Sequence, residues 1–295
     1  LPAVKSLCYK KTIFKFNGDR LMNEIDRIIR TALAEDIGWG DITTRACIQA
    51  GSQSRAELVA KEDFILAGID VAAQVFAAVD TTVSFEKLRE DGRTIRRGEV
   101  FAWIKGASAS LLQGERVALN LLQRMSGIAT LTGLFVEAVD GTGARIVDTR
   151  KTTPGLRYLE KYAVRAGGGQ NHRYALCDGI LIKENHIHAA GGVTAAIQRA
   201  KQAAPHTIKV EVETTTLVEV EEALFAAADI ILLDNMTLDE LRSAVKLVDG
   251  RALTEASGGV NLKSVRAIAA TGVDLISVGA LTHSFRAVDI SLLFR

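Results

Sequence analysis

Six short apolar segments in the second half of the chain, each running out into polar residues, constrain the fold more than any other feature. They read RIVDTRK from Arg145, GILIKENH from Gly179, IKVEVETT from Ile208, IILLDNM from Ile230, ALTEASGG from Ala252 and LISVGALTH from Leu275. Their starts lie roughly 22 to 35 residues apart, and most intervals carry a helical pattern of about a dozen residues. That is the rhythm of βα units on a parallel sheet. Thr216 with Glu219 and Thr237 with Glu240 have the spacing of capping boxes, and Asn261 is placed to cap a third helix. The helices therefore begin just after each polar cluster.

Such an array forms either an open doubly wound sheet or a barrel. The first βα turn lacks G-x-G-x-x-G, and no G-x-x-x-x-G-K-[ST] loop occurs anywhere. A barrel is the expectation, and in a barrel all strand C-termini meet at one mouth. Arg150, Lys151, Lys183, Glu211, Glu213, Asp234, Asn235, Glu255, Ser257 and His283 then converge. Alternation along a strand puts Glu211 and Glu213 on one face, and only one of them need be functional. Glu211 and Asp234 offer hard oxygen ligands suited to Mg²⁺ shared with a pyrophosphate. Ser257-Gly258-Gly259 and Gly279-Ala280, after the last two strands, lie where barrels bind phosphate through backbone N–H groups.

Between Arg145 and Lys183 the chain carries Arg145, Arg150, Lys151, Arg157, Lys161, Arg165, Arg173 and Lys183 against only Asp148, Glu160 and Asp178. The whole chain has a net charge of only +1. A basic excess confined to one segment, broken by Gly167-Gly168-Gly169, predicts a pocket for small anions and argues against a nucleic-acid or membrane surface. His172, beside Arg173, is an anion donor or general acid on this pattern. Asp148 reads as a cap or turn residue, while His186, His188 and His206 receive no role.

The first half reads differently. Residues 1–18 carry four lysines and no acid, and predict a disordered leader, with organelle targeting as the alternative. A helix is expected from Leu21 to Glu35, stopped by the glycines of DIGWGD. Short runs such as AELVA, FILAG and VFAWIKG between Arg55 and Ser110, with a helix at Val71 to Val79, predict an α+β unit. Gly114 to Val139 predicts a long helix, broken at Gly127 or Gly133, with Arg116, Asn120 and Arg124 off its apolar stripe. By spacing alone Arg116 is a solvated helix residue. With 48% hydrophobic residues among 295 the chain can build a large core. Cys8, Cys47 and Cys177 show no paired spacing and read as reduced thiols of a cytoplasmic protein. No apolar run is long enough to span a membrane.

EDIGWGDIT, GERVALNLLQRMSGIAT, DTRKTTPGLRYLEKYAV, GGGQNHR, ILIKENHI, VEVE, ILLDN, EASGG and VGALTHS occur in order and at suitable distances. In these motifs the chain resembles the quinolinate phosphoribosyltransferase family over nearly everything after Leu21. Gln170 and Glu184 occupy positions that vary in such motifs. The resemblance implies an N-terminal α+β sandwich domain (residues 19–130, with a tail at 284–295 packed on it) and an incomplete α/β barrel of parallel strands (131–283). It also implies a homodimer with shared active sites.

The implied activity is that of a pentosyltransferase. Quinolinate and phosphoribosyl pyrophosphate, with Mg²⁺, give nicotinate mononucleotide, pyrophosphate and CO₂ in NAD biosynthesis. Carried over by matching motifs, Arg150, Lys151, His172 and Arg173 bind the two quinolinate carboxylates, and Arg116 reaches in from the partner subunit. Lys183, Glu211 and Asp234 hold the ribose and the magnesium-pyrophosphate, with Glu211 and Asp234 as the metal ligands. Ser257, Gly258, Gly259, Gly279 and Ala280 surround the phosphates. Three other readings compete: a related transferase acting on another pyridine carboxylate, a non-catalytic phosphoribosyl pyrophosphate-binding protein, and a lyase using Lys183 as a Schiff base. The last needs an apolar setting to lower the lysine pKa.

Overall fold

The computed structural model describes residues 24–295. The expected leader and the expected helix start at Leu21 lie outside the described residues. Helix α1 (Glu24–Ile37) buries Ile28, Ile29 and Leu33 and stops at Gly38, whose φ of 51° is left-handed. A short helix not foreseen from the sequence follows, α2 (Ile42–Cys47), capped by Asp41, whose carboxylate accepts from the Thr44 N–H. Next come β1 (Gln53–Ala60), β2 (Phe64–Ile65), α3 (Ile69–Val79), β3 (Ser84–Lys87), β4 (Thr94–Ile95) and β5 (Val100–Ala107). They bear out the α+β texture.

Helix α4 runs unbroken from Ser108 to Ala138, contrary to the expected break. Its glycines permit close approach instead. A Cβ on Gly127 would meet the Arg286 carbonyl oxygen, and one on Gly133 would meet Ile65, both far inside contact distance. Glycine weakens an exposed helix through backbone freedom, but here packing on both sides holds the helix together.

The second half contains β6 (Arg145–Val147), α5 (Arg157–Ala166), β7 (Ile180–Ile182), α6 (Glu184–Ala190), α7 (Val193–Ala203) and β8 (Val210–Thr214). It continues with α8 (Leu217–Phe225), β9 (Ile230–Asp234), α9 (Leu238–Val248), β10 (Leu253–Ser257), α10 (Val265–Ala269), β11 (Leu275–Ser277), α11 (Ala280–His283) and β12 (Ile290–Phe294). The first six strands of this half pair in parallel in the order β6-β11-β10-β9-β8-β7. Among the described residues β6 and β7 do not pair with each other, so the barrel is open between them. Both capping boxes form, at Thr216 with Glu219 and Thr237 with Glu240. Asn261 instead accepts from the N–H groups of Lys263 and Ser264, capping the turn before α10 rather than the helix itself.

The last strand, β12, returns to the first half and pairs antiparallel with β1 in the sheet β12-β1-β5-β3. Helices α1, α3 and α4 pack together, and α4 also lies against β1, β5 and β12. In the barrel Val212, Ile231, Leu233, Ala256 and Ile276 are buried in the hydrophobic core. Strand alternation then turns Glu211, Glu213, Leu232, Asp234, Glu255 and Ser257 inward.

Candidate active site

At the open seam between β6 and β7, the segment after the glycine run bridges to β6. Gln170 N–H donates to the Ile146 carbonyl and the Asp148 N–H to the Gln170 carbonyl, a single parallel bridge beside β6. The chain reaches this position because Gly167 passes hard against helix α4, where a Cβ would meet the Ala129 carbonyl. Asp148 is no simple turn residue. It is fully buried and accepts from Lys161 Nζ at 2.5 Å, the His172 N–H at 2.8 Å and Asn171 Nδ2 at 2.6 Å. Lys161, 2% exposed, also donates to the His172 carbonyl at 3.0 Å. Burial raises the Asp148 pKa and lowers that of Lys161, because desolvation outweighs their mutual attraction.

The pair thereby holds the His172 backbone, and other bonds place the nearby cations. Arg173 Nη1 donates to the Gly179 carbonyl at 2.9 Å, just before β7. Burial and the nearby charge of Arg150 lower the Arg173 pKa, so the two arginines stand close enough to repel. Between β6 and α5, Lys151 is held by its carbonyl, which accepts from Thr282 Oγ1 at 2.8 Å on α11. A cavity of about 560 Å³ there is lined by Arg124, Lys151, Thr153, Thr282, His283 and Phe285, with no acidic side chain in its wall.

At the C-terminal ends of the next strands, Lys183 forms an ion pair with Glu213. Asp234 pairs in register with Ser257, and the Asn235 N–H donates to the Ser257 carbonyl at 2.9 Å. Gly258 has φ 98°, and a Cβ there would overlap Asn235, so only glycine permits this turn. Gly279 approaches Lys151 and His283, where an added Cβ would lie 3.1 Å from each. Gly259 and Ala280 complete the two turns. These contacts join the ends of β7 and β8, those of β9 and β10, and the turn after β11 to Lys151.

Glu211 is placed elsewhere. It pairs in register with Ile230, four residues before Asp234. At a rise of about 3.3 Å per residue, it sits roughly 13 Å below the level of Asp234. No single Mg²⁺, with bonds of about 2 Å, spans both carboxylates. Glu211 and Asp234, the expected metal pair, thus stand at different heights, and Glu213 on the same face lies two residues nearer the mouth, level with Leu232.

Glu211 faces His172, whose Nε2 lies 3.0 Å from its Oε2 and 3.8 Å from Glu255 Oε1. Glu255 has no assigned role by motif, although it precedes Ser257 by two residues and so faces inward with it. Burial and the Glu211 charge lift the Glu255 carboxyl to about 7. Glu211 Oε1 and Glu255 Oε1 are buried without hydrogen-bond partners. All three side chains could in principle ligate one ion. The Arg173 N–H, however, donates to His172 Nδ1 at 2.7 Å. The ring hydrogen therefore resides on Nε2, pointing at Glu211, and the set is hydrogen-bonded rather than open for a metal. Burial opposes the charged ring, but Glu211 and Glu255 raise the His172 pKa overall. A second proton on Nδ1 would cost the Arg173 bond.

A cavity of about 460 Å³ opens from this cluster towards the strand starts, lined by His172, Arg173, Glu211 and Glu255 together with Arg145, Ile180, Ile230, Leu253 and Leu275. Arg116 is exposed on α4, beside Glu115, and joins none of the contacts described. No helix among the described residues is long and apolar enough to cross a membrane.

Fold and site together define an open-barrel protein that carries cations, carboxylates and glycine turns at the C-terminal ends of its strands. The model of the quinolinate phosphoribosyl transferase N-terminal domain matches residues 41–126, and that of its C-terminal domain residues 128–293. The chain belongs to the quinolinate phosphoribosyltransferase family. It is 47% identical over 270 residues to a probable nicotinate-nucleotide pyrophosphorylase (carboxylating) of Bacillus subtilis, covering 91% of this chain and 93% of that protein. It is 45% identical to quinolinate phosphoribosyltransferase (decarboxylating) 1b of Nicotiana tabacum, covering 91% of this chain and 82% of that one. The crystal structure of NadC from Streptococcus pyogenes superposes with a TM-score of 0.89 at 42% identity, covering 95% of this chain and 100% of the other.

Proposed function

We propose that this chain transfers the phosphoribosyl group of phosphoribosyl pyrophosphate to quinolinate, releasing pyrophosphate and CO₂ and leaving nicotinate mononucleotide for NAD biosynthesis. The observation that supports the reading is the set of charged groups and glycine turns gathered on one open barrel. Arg150 and Lys151 follow β6 on the open side with Arg173 near Arg150, and Lys183, Glu213, Asp234 and the two glycine turns stand across β7 to β11.

Quinolinate is a dianion and its partner a polyanion, so the pocket must first offset their repulsion. Arg150, Lys151 and Arg173 supply that charge, and an arginine fork binds a carboxylate in two places. His172 stands beside them, its ring steadied by Glu211. The two glycine turns offer backbone N–H groups to the phosphates, as Ser257, Gly258, Gly259, Gly279 and Ala280 surround them. Glu213 and Asp234 would offer hard-oxygen ligands to Mg²⁺, which when bound would neutralise charge on the departing pyrophosphate. Lys183 orients Glu213 and faces the ribose. As the bond to pyrophosphate opens, the anomeric carbon becomes cationic, and the Glu213 carboxylate stabilises it electrostatically. The quinolinate nitrogen bonds to that carbon; the neighbouring carboxylate then leaves as CO₂ and the ring carbon takes up a proton. Lys183 has an ionic partner and a side chain 49% exposed, a setting opposed to imine formation.

Arg116 is exposed on α4. We read it as donated to the mouth of a second copy in a homodimer. Near-neutral charge and the free thiols Cys47 and Cys177 fit a cytoplasmic enzyme with no nucleic-acid partner. The test is Mg²⁺-dependent formation of nicotinate mononucleotide from quinolinate and phosphoribosyl pyrophosphate. Transfer to another pyridine acid in preference would replace the proposed specificity, and binding without product would make the protein a sensor.

A further inference from the structure

Helix α5 presents three charged side chains, Arg157, Glu160 and Lys161, at the spacing that puts them on one face. Each is bonded to chain on one or both of the loops that carry the pocket's cations. Glu160, fully buried, accepts from the Thr153 N–H at 3.0 Å in the loop of Arg150 and Lys151. Lys161 holds the His172 carbonyl in the loop of Arg173. Arg157 reaches both. Its Nε donates to Thr152 Oγ1 at 2.8 Å and its Nη2 to the Arg150 carbonyl at 3.4 Å, while its Nη1 donates to the Tyr174 carbonyl at 3.1 Å.

We propose that Arg157 is a positioning residue that fixes the separation between the two cationic loops, and hence between Arg150 and Arg173, to suit a planar dicarboxylate. This rests on the proposed function for the identity of the ligand. The geometry requires the guanidinium fork. Its nitrogens diverge in one rigid plane, so one side chain spans two loops that a lysine's single ammonium engages only one at a time. Without that span, Arg150 and Arg173, which repel each other, drift apart. Arg157 thus leaves the set of substrate cations although it lies in the most basic stretch of the chain.

Arg157→Lys tests this, since it keeps the charge and the helix. Amide hydrogen exchange in the ligand-free full chain should rise in both 150–153 and 172–175 while protection in β8 to β10 is unchanged. The quinolinate KM should rise roughly tenfold, with the phosphoribosyl pyrophosphate KM within about twofold of wild type. Unchanged exchange in either loop, or equal shifts in both KM values, overturns the proposal. Arg157→Gln, which removes the charge, should give the same pattern with a larger KM shift; a global loss of protection in both variants would mean that Arg157 supports the fold rather than the spacing, and also overturns it. The exchange result stands whichever acceptor the wild-type protein proves to use, so failure of the quinolinate reading is seen separately, as no turnover by the unmutated chain.

Discussion

Lys183, the residue that follows β7, closes an ion pair with Glu213 on the neighbouring strand β8, while Glu211 on the same face of β8 is bonded to His172 deeper in the barrel. Two glutamates of one short motif are thereby separated into a mouth residue and an interior one.

This separation predicts different metal behaviour. Glu213→Gln and Asp234→Asn should each raise the Mg²⁺ concentration needed for half-maximal activity and lower kcat by about 10²-fold or more. Glu211→Gln should leave the Mg²⁺ requirement unchanged and act through His172. Titrating activity with Mg²⁺ across the three variants checks the assignment, and a shift confined to Glu211→Gln would reverse it.

The buried pair Lys161 and Asp148 should matter to stability out of proportion to its size. Lys161→Met leaves Asp148 buried with a charge and no counterion, a loss of about 3–5 kcal/mol by comparison with other broken buried pairs. Adding Asp148→Asn should recover part of the loss. Urea unfolding of the single and double variants measures both values, and additive effects would deny the coupling.

Glu255 imposes a pH dependence on stability. Its carboxyl sits at about 7 when folded against 4.5 ordinarily. Between those values the folded chain keeps a proton that the unfolded chain has released, so this contribution is full at low pH and lost as pH rises to 7. Glu255→Gln removes it. The variant should gain on wild type by an amount on the order of 3 kcal/mol between pH 4.5 and pH 8, seen in paired unfolding curves.

Gly127→Ala tests why α4 is continuous. The added methyl would press on the Arg286 backbone, so the variant should lose about 1–3 kcal/mol, although alanine is the better helix former. A stabilised variant would mean that the glycine is tolerated rather than required.

Much of this molecule could be read before it was seen, for reasons visible in particular residues. The βα rhythm and the capping boxes at Thr216 and Thr237 are local signals, each set by a few neighbouring residues, and both recur in the structure. Glycine is ambiguous in sequence: Gly127 and Gly133 look like helix breakers until the segments opposite them are known. The roles of Glu211 and Glu213 could not be divided, because alternation gives their face but not their height in the barrel. Lys161 offered a signal that was missed, a charge flanked by Leu159, Ala163 and Val164 on the buried side of α5. The bonds of Arg157 depend on two loops meeting in space, which no spacing along the chain displays.

The most direct measurement follows carboxyl-labelled quinolinate, with phosphoribosyl pyrophosphate and Mg²⁺, and counts CO₂ against nicotinate mononucleotide, with nicotinate run in parallel as acceptor. The account predicts one CO₂ per nucleotide formed, dependent on Mg²⁺, and no comparable transfer to nicotinate. Nucleotide formed from nicotinate without release of CO₂ from quinolinate would contradict it.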